Sequence, residues 1–151
     1  MSSVLSRILI TRRWSDEDVA QLAFEVCDGV SVFVTEAYVP LDWGSVGAAA
    51  LRTLGPQIYG GMFNMEAGEG GPEYASGAFY ARFHWFKPNQ LLISTRQQGE
   101  YFDFKRSEVA STARMYLRTE PALLDRFIAE LPSLDEPQGG RAELQCVPLK
   151  A

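Results

Sequence analysis

Apolar and polar residues alternate along much of this chain, with the period of two that marks strands buried on one side of a sheet. The clearest stretch lies between Tyr74 and Arg118. There a run from about Ala78 to Phe86 places Phe79, Phe83 and Trp85 on one side and Tyr80, Arg82 and His84 on the other. Lys87-Pro88-Asn89-Gln90 reads as a turn, because proline pre-sets the backbone angle of its second position. Leu91 to Gln97 returns as the hairpin partner. Tyr101 to Arg106 fits either a strand or a loop. Val109 to Arg118 alternates again, with Val109, Ala113, Met115 and Leu117 opposite Thr112, Arg114, Tyr116 and Arg118.

The amino-terminal part carries the same period. Arg7 to Arg13 reads as a short strand, and Val19 to Cys27 sets Ala20, Leu22, Phe24 and Val26 on one face. Asp28-Gly29 follows, and Val30 to Val39 resumes with Val30, Val32 and Val34 together. An Asp-Gly pair between two strand patterns signals a hairpin, since the tight turn needs a positive φ. Near the other end, Ala142 to Leu149 fits an edge strand.

Two stretches switch to helical spacing. Asp42 or Ser45 is placed to cap a helix reaching Leu54, with Val46, Ala50, Leu51 and Leu54 on its apolar side. Gly44 and Gly47 weaken it intrinsically but permit a close approach to the sheet. Gly55-Pro56 stops it, and Gln57 to Glu66 reads as a strand bent at Gly60-Gly61. Thr119 caps the second helix, Pro121 suits its first turn, and Leu123, Leu124, Phe127, Ile128 and Leu131 form its stripe before Pro132. Strands, helix, strands, helix is an α+β order. It predicts a single domain over residues 1–151, with a mainly antiparallel sheet of about six strands and two helices packed on one face.

Charge narrows the classes of partner. The net charge is −5, from 19 acidic and 14 basic side chains. That balance opposes non-specific binding to nucleic acid or an anionic membrane and favours a cationic protein partner. The two cysteines, Cys27 and Cys146, lack metal-site spacing and leave a disulfide open. The first residues contain an apolar patch too short for a secretory core, and no run is long enough to span a bilayer. A cytoplasmic protein is the expectation, as a monomer or homodimer.

Two groups of side chains are candidates for function. If the central strands are neighbours, Tyr80, Arg82 and His84 lie beside Ser94 and Arg96, then beside Arg114 and Tyr116. Arginine forks with tyrosines suit a phosphate, a carboxylate or a stacked base, so this face fits a small anion or nucleotide. The plain alternative is a solvated face whose arginines pair with Glu25, Glu36 or Glu108. The second group is acidic: Glu66, Glu69 and Glu73 in a glycine-rich connection, with Asp16 and Glu17 nearby. Such a patch docks a basic protein surface and speeds encounter. His84 has no nucleophile or carboxylate placed against it by the sequence, and no glycine elbow, phosphate loop or dinucleotide fingerprint is present. The expectation is a protein that is not an enzyme, with no catalytic residue, cofactor or metal.

The Asp28-Gly29 hairpin, the helix Asp42–Leu54, the acidic connection Glu66–Glu73 and the final LLDRFIAEL (Leu123–Leu131) form a pattern of elements. The pattern resembles the small bacterial immunity proteins encoded beside polymorphic toxins, and related domain families of the same size. The resemblance implies a non-catalytic protein that neutralises a cognate toxin by direct binding. It also implies that acidic groups such as those of Glu66–Glu73 meet a basic toxin surface.

Overall fold

The computed structural model describes residues 5–68, 77–100, 102–104 and 107–149. In chain order the elements are β1 (Arg7–Ser15), β2 (Val19–Cys27), β3 (Val32–Pro40), α1 (Trp43–Leu54), β4 (Met62–Ala67), β5 (Ala78–Lys87) and β6 (Gln90–Gln98). There follow β7 (Phe102–Phe104), β8 (Ser107–Val109), β9 (Thr112–Thr119), α2 (Pro121–Glu130), a 3-10 turn (Leu131–Asp135) and β10 (Arg141–Gln145).

The strands form two antiparallel four-stranded sheets, ordered β10-β1-β2-β3 and β4-β5-β6-β9, with β7 and β8 paired as a small ribbon. The α+β class and the antiparallel pairing are as expected. The single sheet of about six strands is not: there are more strands, and they divide between two sheets. Alternation reveals which residues share a face, but it does not reveal which edges pair. The break comes at α1, which separates the hairpins of the first sheet from those of the second.

The apolar faces of both sheets turn toward one another. Ile8 and Ile10, with Ala20, Leu22, Phe24 and Val26, meet Phe79, Phe83, Trp85, Leu91, Ile93, Met115 and Leu117 in one buried cluster. The Phe24 ring stacks on Phe79, with centroids 4.5 Å apart and planes 14° from parallel. Trp43, at the start of α1, meets Phe24 edge-on at 5.8 Å. Each large apolar side chain so buried contributes about 1.5–3 kcal/mol. Buried Trp85 also donates its indole N–H to the Leu54 carbonyl at 3.0 Å, tying the second sheet to the end of α1. From α2, Leu124, Phe127 and Ile128 complete the cluster.

Polar bonds close the edges. The Thr35 hydroxyl of β3 donates to the Gln98 carbonyl of β6 at 2.7 Å. On the other side, the Val147 N–H donates to the Arg118 carbonyl at 2.8 Å, and the Thr119 hydroxyl to the Gln145 carbonyl at 2.7 Å. Thr119 therefore joins the sheets and does not cap α2, whose N-cap position is Glu120 with no side-chain bond.

The cap of α1 also departs from expectation. Asp42 makes no capping bond. Asp135, from the 3-10 turn, instead accepts the Gly44 and Ser45 N–H groups, each at 2.8 Å, and the Ser45 hydroxyl. A carboxylate suits the positive end of a helix, and this one arrives from far along the chain. Gly44 makes the approach feasible, since a methyl group there would collide with the Leu131 carbonyl oxygen. The glycines thus bring α1 against the 3-10 turn as well as the sheet. Val46, expected on the apolar side, is exposed.

The β2–β3 hairpin forms with a longer turn than the Asp-Gly pair alone implies. Residues 28–31 make it, with the Asp28 carboxylate accepting the Val30 and Ser31 N–H groups at 2.9 and 2.7 Å and Gly29 at φ 95°. Val30 belongs to the turn, and Val32 and Val34 face solvent while Thr35, Ala37 and Val39 point inward. Later, β4 begins at Met62, several residues after the expected start, because residues 55–60 are used in turns.

Among the described residues, no helix is long and apolar enough to cross a membrane. Cys27 lies in β2 and Cys146 follows β10, with β1 between those strands. Two strand spacings separate their backbones by roughly 9–10 Å, beyond the reach of a disulfide. Burial pushes the Cys146 thiol up to about 12 and Cys27 is buried too. Both thiols are expected to resist a thiol reagent in the native state and to react together on unfolding, as mass spectrometry would show. For α1, Gly44→Ala is expected to destabilise by about 1–3 kcal/mol through overpacking, and Asp135→Ala by about 0.5–2 kcal/mol through loss of the cap, both read from urea denaturation.

Candidate functional site

The outer face of the second sheet is built by the same alternation that builds the core. Because Phe79, Ala81 and Phe83 point inward, Tyr80, Arg82 and His84 must point outward. Strand register then sets the rows. Glu66 of β4 lies opposite Tyr80 of β5, which lies opposite Arg96 of β6, which lies opposite Arg114 of β9. The next row is Asn64, Arg82, Ser94 and Tyr116, and the one beyond it is Met62, His84, Leu92 and Arg118.

The face is open. Arg82, His84, Arg96, Arg114 and Tyr116 are all exposed, Tyr116 to 56%. Glu66, Tyr80, Arg82, Arg96, Arg114 and Tyr116 line one shallow concavity of about 400 Å³. The Arg96 guanidinium lies over the Tyr80 ring, 4.4 Å from its centroid. That arrangement draws the cation to the negative face of the ring and holds its plane. Arg82 donates through Nε to the Asn64 side-chain oxygen at 3.3 Å.

Of the plain alternative for these arginines, Glu25 and Glu36 pair elsewhere, while the Glu108 side chain lies outside what is described. Glu25 pairs with Arg7 at 2.8 Å and Glu36 with Arg13 at 3.8 Å, both on the first sheet. Arg7 also reaches Glu143 at 2.6 Å, which raises its pKa and helps hold the Glu143 carboxyl below its ordinary value against the opposing effect of burial. Among the residues whose side chains are described, no carboxylate lies within ion-pair distance of Arg82, Arg96 or Arg114. Arg96 and Arg114 stand directly opposite each other, a like-charged pair that weakens a sheet.

The acidic candidates separate. Glu66 joins the arginine and tyrosine face as the acidic end of the Tyr80–Arg96–Arg114 row. Asp16 and Glu17 sit in the β1–β2 turn of the first sheet. There the Asp16 carboxylate accepts the Val19 N–H at 2.9 Å and the Asp18 N–H at 2.7 Å, and these bonds lower its pKa. Glu69 and Glu73 lie outside the described residues. Asn64 escaped the sequence reading, as did the membership of Glu66 in this face. The alternation of buried Met65 and Ala67 with exposed Asn64 and Glu66 carried that signal once the strand was placed.

Among the described residues, no group of three or more His, Cys, Asp or Glu side chains is gathered to hold a metal ion. The arrangement offers guanidinium forks, phenol rings and one carboxylate, a set able to bind oxyanions and aromatic or acidic surfaces. No family model matches the chain, and no curated protein or solved structure matches it. The face contributes little to folding, since its side chains are exposed and weakly bonded. Arg82→Ala and Arg96→Ala are each expected to change stability by no more than about 0.5 kcal/mol, measured as the urea midpoint.

Proposed function

We propose that this protein is a non-catalytic binding protein that neutralises a partner by direct contact, as the immunity proteins its element pattern resembles do. The outer face of the second sheet is the contact surface. The observation that carries this reading is the gathering of Tyr80, Arg82, Arg96, Arg114 and Tyr116 on one exposed sheet face, with no acidic side chain among those described neutralising the arginines. Tyrosine and arginine dominate the energetic centres of protein interfaces, and methionine, here exposed Met62, is enriched in them. The partner is a toxin produced by a neighbouring gene, met in the cytoplasm. It presents acidic groups to Arg96 and Arg114 and a basic group to Glu66, so the charge pattern of the strip sets the docking register.

A second reading is a small anion or nucleotide module, supported by a concavity within the size range of ligand pockets. The exposure of Tyr116 and the arginines favours the first, because small-molecule sites bury most of their ligand.

Co-expression with the product of the adjacent gene is expected to give a stoichiometric complex. Arg96→Ala with Arg114→Ala is expected to weaken it by at least about tenfold, close to 1.4 kcal/mol, by calorimetry. Unchanged affinity in that double variant, with affinity lost on substituting Asp16 and Glu17, would move the interface to the acidic turn. Absence of any complex would remove the toxin as partner.

A further inference from the structure

We infer that Arg96 and Arg114 form a seat for a single oxyanion, a carboxylate or a phosphate. The two side chains occupy directly opposed positions on adjacent strands, β6 and β9. Their backbones there lie about 4.5–5.5 Å apart. Two guanidiniums so placed repel each other, and the usual remedy is a cross-strand acid. The acid in this row, Glu66, stands at the opposite edge of the sheet, beyond Tyr80. Among the residues whose side chains are described, which leave out Asp103 and Glu108, no carboxylate comes within ion-pair distance of either arginine.

One of the two forks is held in place, on the β5 side of the row. Arg96 is held over the Tyr80 ring at 4.4 Å, so one fork is oriented before any ligand arrives. Tyr116 and Arg82, in the adjoining row, border the same concavity and add a phenol and a third guanidinium. An oxyanion between the opposed forks would turn a repulsive pair into a bridged one, with charge-assisted bonds to each fork. The repulsion in the free protein is thus the counterpart of the affinity for the ligand. This inference rests on the same face as the proposed function, but not on the identity of the partner. Under that function, the occupant is an aspartate or glutamate side chain of the partner.

The test uses the full chain at low ionic strength, titrated separately with inorganic phosphate and with glutarate, and with sodium chloride at matched ionic strength as control. The readouts are the arginine Nε–Hε signals by NMR and the melting temperature. The wild-type protein is expected to show saturable movement of the Arg96 and Arg114 signals beyond that caused by chloride. Arg96→Gln or Arg114→Gln should weaken it at least tenfold, and Arg13→Gln, on the first sheet, should not weaken it. Without ligand, Arg114→Gln should melt about 1–2 °C higher, because the repulsion is gone while the Arg96–Tyr80 contact is kept. Preference for phosphate assigns a phosphate-bearing occupant, and equal or stronger glutarate binding assigns an acidic side chain. A wild-type response no larger than that to chloride would overturn the seat, as would an Arg114→Gln variant that melts lower. A seat that binds phosphate while the partner complex ignores both arginine substitutions would uphold this inference and remove the proposed interface. Loss of the complex without any anion response would do the reverse.

Discussion

The stacking of Phe24 on Phe79 is the contact through which two four-stranded sheets become one body. Either sheet alone would expose a full apolar face to water. Once the two inner faces meet, every strand's orientation is fixed, because side chains alternate and a slip of one residue would exchange core for surface. In β5 such a slip would bring Arg82 into the core in place of Phe83, and an unpaired buried guanidinium is far more costly than an exposed phenylalanine. The hydrophobic contact therefore determines where the arginines and tyrosines stand. The proposed contact surface is the reverse side of the core.

The two outer faces differ in a way that bears on function. On the first sheet, Arg7 lies between Glu25 and Glu143, and Arg13 lies near Glu36. Charge there is matched across strands, as a purely structural surface requires. On the second sheet the cations gather, Arg96 opposes Arg114, and the one acidic side chain in the row is at the far edge. The fold does not need that arrangement. The helices play no part in this face, since their apolar sides enter the shared core and Asp135 anchors the start of α1 to the 3-10 turn.

Much of this was legible in the residues. The alternation around Phe79, Phe83 and Trp85 identified the inner side of β5, and with it the outward Tyr80, Arg82 and His84. The helices were legible from their spacing. What escaped reading depends on long-range placement. Asp135 caps α1 from the other end of the chain, and Thr119 bonds β10's end instead of its own helix, so no local pattern announces either. The split into two sheets is equally non-local, because strand pairing depends on how hairpins dock after α1. The site was half visible for the same reason. Alternation marks the arginines and tyrosines as one face, whereas only the β4 register, which sets Glu66 opposite Tyr80, separates Glu66 from the acidic connection.

Hydroxyl-radical footprinting of the protein, free and mixed with the product of the adjacent gene, tests the central claim most directly. Aromatic and sulfur-containing side chains report well, and both outer faces carry exposed ones: Met62 and Tyr116 on the second sheet, Trp14 and Tyr38 on the first. If the outer face of the second sheet is the binding surface, Met62 and Tyr116 lose reactivity in the mixture while Trp14 and Tyr38 keep theirs. Protection confined to Trp14 and Tyr38, with Met62 and Tyr116 unchanged, would contradict it.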